Sequence, residues 1–204
     1  MSVCQTFVRC HYRLSFFEDK ELRFLITYAL HQALKNSQET DLPVWNNSIP
    51  VLLKFIESNV SNNVVHALCT LRYLSECHDK AQVIIKGNGL AVLEAYLEQG
   101  NDEIEREVTA ILCHLSSFKD IQTTVSQSTL LAKLCKLCEK KDCEISRFAL
   151  GTLANCMETY DNQELLLASS PDMISILIKL VKSKFLSTKR EASRAISNLL
   201  SSDE

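Results

Sequence analysis

The chain has 204 residues, of which 46% are hydrophobic and 23% are charged, with only four glycines and three prolines. This composition is typical of a globular protein and favours helix over sheet, because leucine, alanine, lysine and glutamate form helices well. The net charge of −3 argues against nucleic acid as a partner, no apolar stretch reaches the roughly 18 residues of a membrane span, and the first residues make a poor secretory signal.

The first predicted element is a degenerate N-terminal repeat or cap over residues 1–47. Within it, "LITYALHQAL" at 25–34 has the apolar spacing of a helix. The segment "ETDLPVWNNSIP" at 39–50 is interpreted as a turn, and we expect Trp45 in this turn to pack against other side chains. The positions of 25–34 that match the later repeat helices are Ala29, Leu30 and Ala33.

Four decapeptides then resemble one another, at 66–75, 107–116, 148–157 and 191–200, with successive shifts of 41, 41 and 43 residues. Their second, sixth and ninth positions are small or apolar in all four, and spacings of four and three place these positions on one face of a helix. The residues of this face are Ala67, Val108, Ala149 and Ala192; Leu71, Leu112, Leu153 and Ile196; Leu74, Leu115, Cys156 and Leu199.

A further helix is predicted before each decapeptide helix, and a second, shorter one is predicted before three of the four. An apolar helix of the same period lies about fourteen residues upstream, and a short helix lies before it at 78–88, 119–128 and 160–170. The upstream helices carry Leu53, Leu93, Leu134 and Leu177 in equivalent places. Each repeat of about 41 residues thus holds a short first helix, a longer second helix, a polar turn and a third helix. Such units bury their apolar faces by stacking, and the period excludes tetratricopeptide repeats, which recur near 34 residues.

The segment "EASRAISNLLS" resembles the third helix of an armadillo repeat, whose typical form is close to E-A-A-W-A-L-S-N-L-S. The segment "NGLAVLEAYLEQGNDEIEREV" resembles the part that joins the second and third helices of that repeat. The resemblance covers about 48–200 and implies an all-α, right-handed α-solenoid of about four to five armadillo-like three-helix repeats. HEAT repeats share this range of periods and stay an alternative. The repeats implied, within a single continuous domain, are about 48–88, 89–129, 130–170 and 171–204.

The resemblance also implies a function. In armadillo proteins the third helices line a concave groove that holds extended peptides, where an asparagine reads the peptide backbone and a tryptophan four residues earlier forms walls. Here the asparagine position holds Tyr73, His114, Asn155 and Asn198, and the tryptophan position holds Cys69, Ala110, Gly151 and Arg194. Because no tryptophan is present to trap lysine stems, the resemblance disfavours a nuclear transport adaptor. It favours a non-catalytic protein–protein interaction scaffold or adaptor.

Nine residues are candidates for lining this groove. The asparagines are suited to clamp a peptide backbone, the arginines to meet carboxylates, and Phe148 to anchor an apolar side chain. The candidates are His66, Tyr73, His114, Arg147, Phe148, Asn155, Arg190, Arg194 and Asn198. The expected partner is an extended or helical protein segment, with acidic residues opposite the C-terminal half of the groove. The alternative is that these are ordinary solvated side chains of the third helices.

The last predicted helix carries little polarity at its end. Terminal repeats normally need a polar outer face, and Ile196, Leu199 and Leu200 do not supply one. This predicts self-association through the C-terminal end or docking of this end onto a partner. A structural subunit of a cytoskeletal, ubiquitin-ligase or chaperone complex would use such a surface, and this is the alternative function.

The chemistry-bearing residues show no catalytic pattern. The sequence contains none of GxxxxGK[ST], GxGxxG or GxSxG. The spacing of Cys135 and Cys138 can begin a zinc site, but Cys138 aligns with Leu97 and Val181, which are core positions, so packing is expected. Nine cysteines, mostly at apolar positions, predict reduced thiols and a cytoplasmic or nuclear location. We therefore expect no enzyme, cofactor or metal, with an enzyme whose site no motif reveals as the remaining alternative.

Overall fold

The structure is a computed structural model that describes residues 20–37, 45–57 and 61–201. Within these residues it contains twelve helices and no strand, which confirms the all-α prediction. Residues 1–19 of the predicted cap and residues 39–44 of the predicted turn lie outside the described residues. The helices are α1 (Lys20–Ser37), α2 (Trp45–Glu57), α3 (Ser61–Ser75), α4 (His78–Lys86), α5 (Gly89–Glu94), α6 (Asp102–Ser116), α7 (Lys119–Ser126), α8 (Leu130–Leu137), α9 (Cys143–Cys156), α10 (Tyr160–Ser169), α11 (Met173–Leu180) and α12 (Leu186–Leu200).

The predicted order of first, second and third helices recurs three times, as α4–α6, α7–α9 and α10–α12. The prediction that the second helix is longer than the first is wrong. Helix α5 has six residues where α4 has nine, and α11 has eight where α10 has ten. After α5 the chain enters turns, with Glu98 and Gly100 at positive φ, while Tyr96 and Leu97 are buried. The apolar pattern therefore continues beyond the helix, because turn residues supply part of the core.

The predicted turn at 39–50 is wrong for its described part, because Trp45 begins α2 and Pro50 lies inside that helix. A proline inside a helix removes one backbone hydrogen bond. Helix α2 nevertheless buries a complete apolar face, whose residues include Ile49 and Ile56, and this burial offsets the loss. Trp45 is fully buried at the start of this face, as the packing prediction required.

Contacts divide the chain into two compact units, Met1–Ala95 and Tyr96–Glu204. In the first unit α1 packs on α3, α3 packs on α2, and α2 also contacts α4 and α5. Helix α1 contains the helix predicted at 25–34; Leu30 is buried there, and Ala29 and Ala33 are half-buried. The exact repeat boundaries and the single continuous domain stay predictions.

In the second unit the three decapeptide helices are neighbours, since α9 packs on both α6 and α12. Small side chains lie at their contacts: Val108, Ala149 and Ala192 are all fully buried. The predicted apolar face is confirmed for α6 and α9 along its whole length. On α12 it is covered only in part, because Ile196 and Leu199 are half-buried.

Polar side chains fix the starts of α6 and α9. Asn101 Oδ1 accepts the backbone N–H groups of Glu103 and Ile104, at 3.1 and 3.3 Å. Asp142 caps α9 in the same way, and its other oxygen accepts Arg106 Nη2 at 2.7 Å. The Arg106–Asp142 pair thus links the beginnings of two successive third helices.

Candidate functional site

The candidate residues of the first unit lie in a cluster of rings. His66 and Tyr73 project from α3, and His31 of α1 lies between them, with ring centroids 6.0 Å from His66 and 5.9 Å from Tyr73. Tyr28 meets His66 edge to face at 5.2 Å, and the Arg72 guanidinium lies 5.0 Å from the Tyr73 ring centroid. We call Tyr28, His31, His66 and Tyr73 the aromatic cluster.

The sequence reasoning found His66 and Tyr73 but missed Tyr28 and His31. A signal for Tyr28 was present: when 25–34 is aligned with the decapeptides, Tyr28 falls on the position that the resemblance assigns to tryptophan. Tyr28 is also partly exposed, so its ring is accessible to a ligand.

The surroundings of His31 in the aromatic cluster disfavour the charged form of its imidazole. Burial lowers the pKa of His31 most, and the nearby basic groups of His66, Lys35 and Arg72 lower it further. Its Nδ1 atom is buried and makes no hydrogen bond within the described part of the chain. The cluster therefore offers ring faces and edges next to a guanidinium, which suits apolar or aromatic side chains.

In the second unit the two candidate asparagines bind the protein's own backbone. Asn155 is 7% exposed, and its Nδ2 donates to Cys113 O at 3.2 Å and to Ser116 Oγ at 3.0 Å. Asn198 Nδ2 donates to Ala154 O at 2.8 Å. Both asparagines hold the eighth decapeptide position, and the carbonyls of Cys113 and Ala154 belong to the seventh position of the preceding repeat. Each amide therefore joins one third helix to the one before it.

The guanidinium of Arg194 lies among oxygen acceptors from four residues. Its Nη1 donates to Asn155 Oδ1 at 2.7 Å, and its Nη2 donates to Gly151 O at 3.2 Å. Its Nε donates to Glu191 Oε2 at 2.9 Å, and Glu158 Oε1 lies 3.8 Å from Nη1. We call the four acceptors, from Gly151, Asn155, Glu158 and Glu191, the guanidinium cradle. The amide of Asn155 is thus fully engaged, and its predicted role as a clamp on a peptide backbone stays a prediction.

The lack of a side chain at Gly151 makes room for the contacts around Arg194. A Cβ atom at this position would lie 2.8 Å from Cys113 Sγ, closer than real Cβ contacts allow. The absence of a side chain lets α6 and α9 approach closely and leaves the Gly151 carbonyl within reach of Arg194.

The remaining candidates form two ion-paired groups. Arg147 Nη2 lies 2.7 Å from Glu144 Oε2, and its guanidinium sits 3.8 Å above the Phe148 ring, which meets His114 edge to face at 6.4 Å. The hydrogen bond to Glu144 raises the pKa of Arg147. Arg190 is the most open of the three candidate arginines, with 71% of its side chain exposed, and it pairs with Glu191 at 3.3 Å.

One cation of the same alignment column was missed. Arg106 precedes its decapeptide by one residue, as Arg147 and Arg190 do, so the repeat itself carried the signal. Arg106 pairs with Asp142, and this hydrogen bond is the main cause that raises the pKa of Arg106.

Three of the described cysteines, Cys135, Cys138 and Cys156, are buried core residues. Cys138 is fully buried, as its alignment with core positions predicted, and burial raises its pKa well above the usual value. Burial also raises the pKa of Cys113 to about 11, so this thiol beside His114 is not a thiolate near neutral pH. Over the described ranges, no three His, Cys, Asp or Glu side chains converge as metal ligands would. In the same ranges, no helix combines the length and apolar character that crossing a bilayer requires.

Comparisons with known proteins identify the fold. No family model matches the chain, and no curated protein sequence matches it. Solved structures do match. A computationally designed armadillo repeat protein for modular peptide recognition is similar with a TM-score of 0.88 at 15% identity, over 96% of this chain and 83% of that one. A designed armadillo repeat protein in complex with the peptide (KR)4 is similar with a TM-score of 0.86 at 17% identity, over 100% of this chain and 84% of that one.

A natural protein shares the fold as well. UNC-45 from Drosophila melanogaster is similar with a TM-score of 0.79 at 19% identity, over 95% of this chain but 25% of that one. These similarities confirm the predicted fold class: the chain has an armadillo-like repeat fold.

Proposed function

We propose that the protein is a non-catalytic scaffold or adaptor that binds an extended or helical segment of another protein on the side formed by its third helices. The similar designed proteins are peptide binders by description, one of them in complex with a peptide. The observation that carries the proposal is that the candidate positions of the third helices hold rings, amides and arginines. They are His66 and Tyr73 on α3, His114 on α6, Arg147, Phe148 and Asn155 on α9, and Arg190, Arg194 and Asn198 on α12. We propose a cytoplasmic or nuclear location on the basis of the many cysteines at apolar positions.

The chemistry of the second unit favours acidic residues in the bound segment. Arg190 is largely exposed, and its two donors toward Glu191 are Nε and Nη2. The Nη1 side of its planar guanidinium faces away from that pair and is suited to a carboxylate of a ligand. On α9, the half-buried Phe148 under Arg147 supplies an apolar contact.

The chemistry of the first unit favours an apolar or aromatic side chain. Tyr28 is 44% exposed and lies beside the His66 ring, and the Tyr73 ring lies beside the Arg72 guanidinium. An aromatic side chain gains edge-to-face contacts on such a surface, beyond the burial of its apolar area. We therefore propose that the two units recognise different classes of side chain.

Peptide display on the wild-type protein, followed by affinity measurements on two charge-reversed variants, tests the proposal. Arg190→Glu should weaken binding of a selected acidic peptide by about tenfold or more, which corresponds to about 1.4 kcal/mol. Lys189→Glu is the matched control, because Lys189 is also exposed but points about 100° away around α12. Equal losses in the two variants would mean that only net charge matters, and failure to select any peptide would contradict the proposed function.

We propose a second candidate function, docking or self-association through α11 and α12, because apolar side chains there differ from their repeat equivalents. Ile174 and Ile178 are 51% and 54% exposed, whereas the equivalent Leu131 and Cys135 on α8 are 2% and 4% exposed. A helical layer on α11 would bury them as the following repeat buries α8. Light scattering over a range of concentrations tests self-association: wild type should exceed the monomer mass, and Ile174→Glu/Ile178→Glu should not. A monomer throughout would leave docking onto another subunit, tested by binding of that subunit to the two proteins.

A further inference from the structure

We propose that Arg194 selects the charge of the peptide that the second unit accepts, because its guanidinium fills the guanidinium cradle from within the chain. This inference rests on the proposed peptide-binding function. With Arg194 in place, the cradle is closed to the lysine or arginine side chains of a peptide. Without Arg194, the same surface would bind them.

The cradle consists of acceptors alone. Two carboxylates, one amide oxygen and one backbone carbonyl surround the guanidinium, with the closest contacts at 2.7 Å to Asn155 Oδ1 and 2.8 Å to Glu191 Oε2. Acceptors in this number and arrangement match the planar donor fork of an arginine. A peptide cation must therefore displace Arg194 before it can bind here.

Each acceptor is held by a second contact that does not involve Arg194. The Asn155 amide stays anchored by Cys113 O and Ser116 Oγ. Glu158 Oε2 accepts Gln122 Nε2 at 3.1 Å. Glu191 Oε1 keeps Arg190 at 3.3 Å, and Gly151 is fixed within α9. Removal of the Arg194 side chain should thus leave the four acceptors in place and the cradle empty. The site would then lack the positive charge of Arg194.

The position of Arg194 in the repeat explains why it controls selectivity. The armadillo resemblance places a tryptophan wall at this position, which contacts a side chain of the ligand. This chain instead supplies a cation of its own at that position, 37% exposed at the surface. A ligand carboxylate can approach the exposed edge of this guanidinium, whereas a ligand cation meets a site that is already occupied.

The test compares Arg194→Ala with Arg190→Ala, because both variants lose one arginine charge from α12 and only the first empties the cradle. Fluorescence anisotropy at fixed salt measures the affinity of each protein for (Lys-Arg)4 and for (Glu-Ser)4. We expect wild type and Arg190→Ala to discriminate against (Lys-Arg)4. Arg194→Ala should bind (Lys-Arg)4 about tenfold tighter than Arg190→Ala does.

A second measurement does not need a peptide and also reports on folding. Methylguanidinium chloride at low millimolar concentration, compared with sodium chloride at the same ionic strength, should raise the Tm of Arg194→Ala and leave that of Arg190→Ala unchanged. Arg194→Gln serves in the same two assays if Arg194→Ala does not fold.

Two results would overturn the proposal alone: the same ratio of peptide affinities in the Arg194 and Arg190 variants, or equal effects of methylguanidinium on their Tm values. If neither peptide nor any displayed peptide binds to any of the proteins, the proposed function itself fails, and the selective role of Arg194 fails with it. The outcomes therefore separate the two failures.

Discussion

In the first unit the candidate positions of the third helix hold rings that touch rings, whereas in the second unit the equivalent positions hold amides and paired charges as well as one ring pair, His114 and Phe148. Tyr73 and Asn155 share one decapeptide position; the first packs beside His31, and the second bonds to a neighbouring helix and to Arg194. Their buried neighbours are nevertheless alike, since Ala67 and Ala149 are both fully buried in equivalent places. The stacking of helices and the chemistry of recognition are therefore encoded at different positions of the repeat.

The difference also extends to how successive third helices are joined. In the second unit, asparagine amides and the Arg106–Asp142 pair bridge them with directed bonds. In the first unit, α1 and α3 meet in the aromatic cluster, whose contacts are less directional. We expect the second unit to tolerate changes at its bridging residues less well.

The largest expected effect comes from Gly151→Val. The new Cβ would overlap Cys113 Sγ and push α6 from α9, so the free energy of unfolding should fall by about 2 kcal/mol or more. Cys69→Val, at the equivalent position of the first unit, should cost less than about 1 kcal/mol, since a side chain is already accommodated there. Urea denaturation measures both. Cys113→Ala in the Gly151→Val background should recover part of the loss, and no recovery would contradict the steric explanation.

The next effect separates the two asparagines. Asn155→Ala removes three hydrogen bonds of a nearly buried side chain and leaves its partners unpaired, at a cost of about 2 kcal/mol. Asn198→Ala removes one bond from a half-buried residue and should cost about 0.5–1 kcal/mol. Thermal unfolding followed by circular dichroism provides the values. Equal costs would mean that Asn155 is less constrained than its contacts indicate.

A pH titration should distinguish the units. Folding lowers the pKa of His31, so its imidazole is neutral in both states well above its usual pKa of 6.5. As the pH falls through 6.5 the unfolded chain takes up the proton first, and the first unit loses stability.

In the second unit, pairing with Arg147 lowers the pKa of Glu144. Burial raises the pKa of Asp142, but Arg106 and the backbone N–H groups of Ile145 and Glu144 together lower it by more. The stability that these two carboxylates add to the folded state is present above their usual pKa values of 4.5 and 3.8. It is lost only as the pH falls below those values.

Hydrogen exchange resolved by segment, between pH 7 and 5, measures this difference. Protection of α1 and α3 should decline with pH, and protection of α9 should not follow the same curve. His31→Phe keeps a ring at this position and removes the titration, so its first unit should lose the dependence. A decline that persists in His31→Phe would assign the effect to another group.

The smallest effect concerns the ion pair beside Phe148. Arg147→Gln removes a partly exposed pair with Glu144 and a guanidinium–ring contact, and should cost about 0.5–1 kcal/mol. Salt should weaken the ion-pair part, so the difference from wild type should shrink in about 0.5 M sodium chloride. A cost that does not change with salt would attribute the contribution to the ring contact.

The sequence was sufficient to predict the stack but not the arrangement of the polar side chains. The small or apolar positions recur with the repeat, and burial of Ala67, Val108, Ala149 and Ala192 follows from this spacing alone. The sequence did not predict the start of helix α2 at Trp45, because Asn46, Asn47 and Pro50 are residues typical of turns. The packing of the apolar face of α2, which involves other helices, decides in favour of the helix.

The sequence predicted which residues belong to the candidate site better than it predicted which of them contact one another. Arg194 and Asn155 were both candidates, but their hydrogen bond joins residues 39 positions apart. Long side chains at the surface adopt the conformation that their neighbours from other repeats stabilise, and these neighbours cannot be read from helical spacing. The pair of Arg194 with Glu191, three residues earlier on α12, follows from helical spacing, whereas the contacts of Arg194 with Asn155 and Glu158 required the structure.

The bonds from Asn155 and Asn198 to preceding carbonyls have a mechanical consequence. These hydrogen bonds restrain the separation of successive helices along one edge of the stack of α6, α9 and α12. The small buried residues beside them are the contact about which the helices would rotate. When the stack bends, the restrained edge should resist extension, and the edge formed by α8 and α11 should open first. Elastic compliance in the second unit would then be directional, with the stiff side coinciding with the surface proposed to hold a peptide.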